Sequence, residues 1–165
     1  MRVVVLADTH IRRGSSRRLP DAAYRLLEGA DAILHAGDIV VAEVLHELSG
    51  FAPTFAVLGN NDDGELAATL PENRILELGG VSVGMVHDSG PTAGRARRLH
   101  RSFPEARVVV YGHSHIPYDG PGVEGQWLMN PGSPTERRAQ PHHTVGILDL
   151  EGGAVAHHEV VVVGP

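Results

Sequence analysis

Five short motifs in this chain carry the residue types that bind metal ions or move protons. In chain order they are Asp8-Thr9-His10, Gly37-Asp38, Gly59-Asn60-Asn61-Asp62, His87 and Gly112-His113-Ser114-His115. Each motif follows a run of aliphatic residues, and in three of them a glycine lets another backbone or a ligand approach closely. Carboxylates, imidazoles and amide oxygens are donors for divalent cations. A fold that brings the five motifs together would therefore create a metal site.

The aliphatic runs that precede the motifs are predicted to be β-strands. They cover residues 2–7, 32–36, 54–58, 81–87 and 107–111, and a further strand is predicted at 74–78. Helices are predicted at 20–29, 41–50 and 94–103, because proline or glycine marks their ends. In open α/β sheets, binding sites form in the crevice outside the carboxyl ends of the strands. The motifs should therefore converge, although they extend from residue 8 to residue 115.

The combined donor set indicates how many metal ions the site would hold. It contains two aspartates, four histidines and one asparagine: Asp8, His10, Asp38, Asn60, His87, His113 and His115. Seven donors are too many for a tetrahedral structural zinc site. They suit two metal ions about 3.5–4 Å apart that share one carboxylate, as in phosphate-ester hydrolases. Mixed imidazole and oxygen donors favour Mn, Fe, Co, Ni or Zn over Mg or Ca.

The spacing inside two motifs also fits ligand pairs. Asp8 and His10, like His113 and His115, are two positions apart, so in an extended chain both side chains of a pair would point the same way. Each motif taken alone has an ordinary structural explanation, which is a turn for most of them and a buried histidine for His87. The five motifs in this order indicate a dinuclear site. We do not expect His35, nor the pairs His142-His143 and His157-His158, to be ligands.

Composition narrows the class of protein. A chain of 165 residues is expected to form a single domain, residues 1–165, and its 42% apolar content is that of a globular protein. Without cysteine it can form neither disulfides nor thiolate metal sites. The net charge of −6 argues against nucleic acid as a partner, except as a phosphodiester substrate. No stretch is apolar enough for a membrane span, and we expect a cytoplasmic location.

The last third of the chain is rich in predicted strands. These cover 126–130, 144–150 and 154–163, and the sequence Glu151-Gly152-Gly153 is expected to join the last two. Alternating strands and helices followed by such a tail predict an α/β fold, with either one mixed sheet or two sheets packed face to face.

The motifs D-x-H, GD, GN-x-D, H and GHSH, in this order, resemble those of the calcineurin-like metallophosphoesterases. The sequence is most similar to their small single-domain bacterial and archaeal phosphodiesterase branch, and NPGS at 130–133 followed by Arg137 and Arg138 resembles a late loop of that branch. The resemblance implies a four-layer α/β/β/α sandwich. It implies a small phosphorylated substrate, and it is compatible with a homo-oligomer.

The same resemblance implies a role for each donor. Asp8, His10 and His115 would bind one divalent metal ion. A second ion would be bound by Asn60, His87 and His113, and Asp38 would bridge the two. The implied reaction is phosphodiester hydrolysis by a hydroxide that both metals activate, with manganese as the ion expected to serve in assays.

Asn61 departs from the pattern of many superfamily members, which have a histidine at this position. A carboxamide donates hydrogen bonds but is no general acid near pH 7, so we expect slow turnover and a preference for good leaving groups. Asn61→His should then raise the rate on poor leaving groups. Asp38, Asn60 and Asn61 are the residues we expect to take part in catalysis.

Two further features leave more than one interpretation open. Asp88 could orient His87 or cap the following turn, and we favour the cap. The arginines after the first motif could guide an anionic substrate or could form a solvated loop; they are Arg12, Arg13, Arg17 and Arg18. Two alternative functions also remain open, namely a protein-binding scaffold with little or no hydrolysis and a phosphomonoesterase acting on a nucleotide or phosphoprotein.

Overall fold

The computed structural model describes all residues, 1–165, as ten strands and four helices. The strands are β1 (Arg2–Leu6), β2 (Ala32–His35), β3 (Thr54–Ala56), β4 (Asn73–Leu78), β5 (Val81–Val86), β6 (Val108–Val110), β7 (Tyr118–Pro121), β8 (Trp127–Asn130), β9 (His143–Glu151) and β10 (Ala154–Gly164). The helices are α1 (Asp21–Leu27), α2 (Ala42–Ser49), α3 (Gly64–Thr69) and α4 (Arg95–Ser102). No helix combines the length and the apolar character that a membrane span requires.

The strands form two mixed sheets of five strands each. The first has the order β10-β9-β1-β2-β3, with β1, β2 and β3 parallel and the two long C-terminal strands antiparallel. The second has the order β4-β5-β6-β8-β7, with a parallel centre and an antiparallel strand at each edge. The two-sheet interpretation of the sequence is therefore confirmed.

Alternation along β1 shows how the layers pack. Val3 and Val5 face the second sheet, where they meet Val83 and Val108 in the core between the sheets. Val4 and Leu6 face the other way and pack beneath α1 and α2 in a separate core. On the outer face of the second sheet, α4 is held by a smaller cluster that includes Leu99, Phe103 and Tyr111. The four-layer α/β/β/α sandwich is confirmed.

The elements differ from the sequence prediction in three respects. The predicted strands that precede the motifs end one or two residues early, so that every motif lies in a loop. Helix α3 was not predicted, because Asp63-Gly64 is typical of a turn; instead the Asp63 side chain accepts a hydrogen bond from the Leu66 N–H and caps this helix. Strand β7 was also missed, since its sequence YDGP disfavours strands, and Pro121 is tolerated because β7 lies at a sheet edge.

Candidate metal centre

All seven predicted donors come together at the ends of β1, β2, β3, β5 and β6. Two groups form, each with ligand atoms within 4.8 Å of one another: Asp8, His10 and His115 in one, and Asp38, His87 and His113 in the other. Asn60 contacts the second group. We call Asp8, His10 and His115 the inner cluster, and Asn60, His87 and His113 the outer cluster.

The inner cluster is buried. The Nε2 atoms of His10 and His115 lie 3.1 Å apart, and His115 Nε2 lies 3.5 Å from Asp8 Oδ1. Asp8 is 0% exposed, and its second oxygen, Oδ2, has no hydrogen-bond partner. A buried carboxylate oxygen without a donor is rare, and a cation would satisfy it. The donor set and this orphaned oxygen therefore fit a metal ion.

The outer cluster is more open. The side-chain oxygen of Asn60 lies 3.0 Å from His87 Nε2 and 3.0 Å from His113 Nδ1. The two imidazole nitrogens are 3.3 Å from each other. His87 is buried, His113 is partly buried and Asn60 is exposed. Two imidazoles and an amide oxygen that converge in this way can also hold a divalent cation.

Asp38 lies between the two clusters. Its Oδ2 is 3.5 Å from His10 Nε2 in the inner cluster, and its Oδ1 is 3.4 Å from His87 Nε2 in the outer cluster. Each carboxylate oxygen thus faces a different set of donors. This is the arrangement that a ligand shared by two metal ions requires.

Two backbone carbonyls orient the imidazoles. His87 Nδ1 donates to the Ala36 carbonyl at 2.7 Å, and His115 Nδ1 donates to the Glu136 carbonyl. Each of these bonds fixes the tautomer that leaves Nε2 free as a ligand atom. Glu136 was not singled out from the sequence, because its contribution is a main-chain oxygen.

The backbone is left-handed at five of the seven predicted ligands, contrary to the extended geometry predicted for Asp8/His10 and His113/His115. The φ angles are +54° and +45° in the first pair and +65° and +58° in the second, and +57° at Asp38. Such conformations cost about 1–3 kcal/mol each for non-glycine residues, and they cluster at functional sites. His113 and His115 also belong to different clusters, so the second pair does not share a ligand direction.

Glycines beside the ligands are required by close packing. Gly37 has φ of +88°, and a Cβ there would lie 2.7 Å from His87 Nδ1. A Cβ on Gly59 would overlap the backbone nitrogen of Asp38. The glycines in the GD and GN-x-D motifs therefore allow neighbouring loops to approach the bridging aspartate.

Asn61 and Asp62 hold the bridge in place. The Asn61 side chain donates from Nδ2 to Asp38 Oδ2 at 2.7 Å, and its backbone N–H donates to Asp38 Oδ1 at 2.8 Å. Asp62 accepts from the N–H groups of Ile39 and Val40 at 2.7 Å and from that of Gly59 at 2.6 Å. The loops after β2 and β3 are thus tied together.

The pKa values of Asp8 and Asp38 are shifted in opposite directions. Burial raises the pKa of Asp8 to about 7. Burial also acts to raise the pKa of Asp38, but hydrogen bonds from His87 and Asn61 outweigh it and hold this pKa well below its usual range. Asp38 is consequently an anion at neutral pH, as a shared ligand must be.

The pKa values of the imidazoles also differ between the inner and the outer cluster. Burial lowers the pKa of His10 and brings that of His115 to about 4, so both are neutral and have a lone pair for a metal. In His87 burial acts in the same direction, but the hydrogen bond and charge of Asp38 outweigh it and raise the pKa.

The remaining sequence candidates lie outside the clusters. Buried His35 is bonded to the Thr9 hydroxyl at 3.1 Å. Asp88 accepts from the Gly90 N–H at 2.7 Å, which confirms the cap. Three of the four arginines after the first motif are ion-paired, and Arg12 is not; the pairs are Arg13–Glu43, Arg17–Glu136 and Arg18–Asp21.

A cleft of about 490 Å³ opens beside the outer cluster. It is lined by Leu58, Gly59, Asn60, Glu72, Asn73, Val86, His87, Asp88 and His113. No sequence motif pointed to Glu72, which precedes β4, or to Asn73, the first residue of that strand. The cleft is large enough for one ester group of a small substrate next to the outer-cluster ligands.

Comparison with known proteins agrees with this geometry. Residues 1–153 match the model of the calcineurin-like phosphoesterase superfamily domain. A protein of Methanothermobacter thermautotrophicus, named a probable metallophosphoesterase, is 34% identical over 154 residues, which cover 92% of this chain and 87% of that protein. A probable metallophosphoesterase of Methanocaldococcus jannaschii is 33% identical over 92% of this chain and 77% of its own length.

Solved structures show the same fold. A Thermotoga maritima protein solved by NMR has a TM-score of 0.74 and 29% identity, with 98% of each chain covered. Vps29 of Entamoeba histolytica has a TM-score of 0.76 at 21% identity, covering 98% of this chain and 99% of its own, which is a likeness of fold. The chain belongs to the calcineurin-like phosphoesterase superfamily. Its curated homologues support a metal-dependent phosphoester hydrolase.

Proposed function

We propose that this protein is a phosphodiesterase that acts on small phosphate diesters with two divalent metal ions. The observation that carries the proposal is the position of Asp38, whose two oxygens face the inner and the outer cluster at 3.5 and 3.4 Å. The inner cluster would hold one ion and the outer cluster the other. Manganese is the ion we propose for assays, because the donors mix nitrogen and oxygen.

The bound ions would supply Lewis acidity, which brings the pKa of water towards neutrality and neutralises charge on phosphoryl oxygens. The residues around the two clusters would keep the metal ligands in position. Asn61 fixes both oxygens of Asp38, and the Ala36 carbonyl holds His87 in its ligating orientation. The cleft beside the outer cluster offers room for one ester group.

The leaving group receives little help from the protein. The Asn61 side chain is committed to Asp38 at 2.7 Å, and a carboxamide has no acid function near pH 7. General acid–base catalysis typically contributes about 10²–10⁴-fold, so its absence favours esters whose leaving groups depart without a proton. A diester with an aryl leaving group meets this condition.

A direct assay separates this proposal from its alternatives. The protein loaded with Mn²⁺ is given bis(4-nitrophenyl) phosphate and, separately, 4-nitrophenyl phosphate, and nitrophenolate release is measured. Faster hydrolysis of the diester supports the proposal, and faster hydrolysis of the monoester points to a phosphomonoesterase. If two metals are bound and neither ester is cleaved, the scaffold interpretation is favoured.

Asp38→Asn is the matched control for that assay. The substitution keeps the shape of the side chain but removes the charge that both ions would share. Removing one preorganised electrostatic contact typically costs about 10²–10³-fold in rate, and we expect at least that loss here. Circular dichroism should show an intact fold. Undiminished activity in the variant would assign the hydrolysis to a contaminating enzyme.

A further inference from the structure

The loop that follows β8 is held firmly against the first motif. The Ser133 hydroxyl donates to the Asp8 carbonyl at 2.7 Å, and the Thr135 hydroxyl donates to the Thr9 carbonyl at 2.5 Å. The Glu136 carbonyl receives His115 Nδ1. Residues 133–136 therefore fix the position of the next residues in the chain relative to the inner cluster.

Arg138 lies at the end of this fixed segment. It has a left-handed backbone with φ of +53°, which is uncommon for a long side chain. Its Nη1 is 3.5 Å from the carbonyl oxygen of His113, an outer-cluster ligand. The side chain is exposed and forms no ion pair. The guanidinium group thus lies beside the main chain of His113, and this single hydrogen bond leaves most of its donors unused.

Neighbouring arginines are engaged elsewhere. Arg17 Nη1 is bonded to Glu136 at 2.6 Å and to the His10 carbonyl at 3.2 Å. Arg137 Nη1 donates to the Gln140 carbonyl at 2.7 Å, within its own turn. Arg138 is therefore the arginine of the late loop that is both next to the ligands and free of a carboxylate.

The exposed guanidinium group of Arg138 carries a positive charge next to the outer-cluster residue His113. A free cation beside two metal ions would be repelled by them unless an anion lay between. A phosphate group is such an anion, and its oxygens match the planar fork of a guanidinium group.

We propose that Arg138 is a substrate-binding residue whose guanidinium group donates hydrogen bonds to a non-bridging phosphoryl oxygen of the ester. This rests on the proposed function, because the ester must sit on the two ions for the contact to form. The contact uses an oxygen that monoesters, diesters and inorganic phosphate share. Arg138 then acts on substrate affinity and not on metal binding.

The test compares Arg138→Ala with Arg137→Ala, its exposed neighbour. Binding of inorganic phosphate to each Mn²⁺-loaded protein is measured by calorimetry, together with KM for bis(4-nitrophenyl) phosphate. A hydrogen bond to a charged group typically corresponds to about 10–100-fold in affinity, so Arg138→Ala should weaken phosphate binding by that factor. Arg137→Ala should match the wild type, and Arg138→Lys should recover part of the loss because it keeps the charge.

Three results would overturn the proposal. Unchanged phosphate affinity in Arg138→Ala would do so, as would an equal loss in Arg137→Ala. A lower metal content in Arg138→Ala would instead assign the residue to support of the ligands. A wild-type protein that cleaves no ester would contradict the proposed function. The role of Arg138 could still be measured in that case, because phosphate binding does not require turnover.

Discussion

The inner and outer clusters use similar side chains in different surroundings. The inner cluster pairs two imidazoles with the carboxylate of Asp8, and all three residues are buried. The outer cluster pairs two imidazoles with the neutral amide of Asn60, and it faces a cleft of about 490 Å³. Asp38 contributes one oxygen to each. The clusters thus differ mainly in charge and in access.

This difference suggests a division of labour between the two positions. A carboxylate attracts a divalent cation more strongly than an amide does, and burial strengthens that attraction. The inner position should therefore hold its ion more tightly. The outer position can exchange ligands through the cleft, which is where an ester would arrive. The following substitutions and a change of pH can break or sharpen this contrast.

The largest expected effect follows from Asn61→Ala, which removes a support shared by both clusters. Asp38 Oδ2 loses the donor now 2.7 Å away, so the shared carboxylate can rotate. Loss of such a support typically lowers metal affinity or activity about 10–100-fold. Calorimetric titration with Mn²⁺ measures the change. Asn73→Ala is the control, because Asn73 lines the cleft beside the outer cluster without a bond to a ligand, and this variant should bind Mn²⁺ as the wild type does.

The Asn61→His variant is a related test of the leaving-group argument. Its main-chain N–H can still bond Asp38 Oδ1, since that contact does not involve the side chain. The side-chain hydrogen bond from Asn61 Nδ2 to Asp38 Oδ2 is lost, however, and this loss offsets any gain in rate on poor leaving groups. If Asn61→Ala binds Mn²⁺ as tightly as the wild type, the assigned supporting role of Asn61 is wrong.

The next effect concerns pH. Metal binding requires deprotonated ligands, and in the metal-free protein burial raises the pKa of Asp8 to about 7. Below that pH the protonated carboxyl predominates, so the inner-cluster affinity should fall about tenfold for each pH unit. His10 and His115 have lowered pKa values and should release no proton. His87, whose pKa is raised, should release its proton when the outer position fills.

Calorimetry in buffers of different ionisation enthalpy counts the released protons. We expect an affinity that rises from about pH 6 to about pH 8, with proton release at both steps. An affinity for Mn²⁺ that is flat over this range would contradict the protonation state assigned to Asp8.

The smallest effect should follow from Asn60→Asp. The substitution gives the outer cluster a carboxylate of nearly the same shape, placed where the amide oxygen is now 3.0 Å from both imidazole nitrogens. The affinity gap between the two positions should narrow, by about tenfold or less because the site is partly hydrated. If the two Mn²⁺ affinities stay as far apart as in the wild type, charge is not the cause of the contrast.

Much of this architecture could be predicted from sequence because its signals are local. The aliphatic runs before Asp8, Asp38, Asn60, His87 and His113 mark strands, and a sheet places strand ends at a common edge. The seven donors were identified in this way, and the structure brings them together. The number and class of the metal ions stay predictions that rest on the donor types.

The parts that were not predicted depend on contacts between distant residues. Asn61 was assigned a place near the leaving group, but its side chain lies against Asp38, 23 positions earlier in the chain. The Glu136 carbonyl that orients His115 leaves no mark in the side-chain sequence. Helix α3 was not predicted because an aspartate–glycine pair is as typical of a turn as of a helix start.

The left-handed ligands have a consequence for the energy landscape of the chain. In the central strands local preference and tertiary packing agree, since β-branched residues fill them. At Asp8, His10, Asp38, His113 and His115 they disagree, because these residues adopt a backbone conformation that favours glycine. The molecule is thus minimally frustrated in its core and frustrated at one edge of the sandwich. Local opening of the metal-free chain should begin at that edge, where bound cations would hold the loops closed.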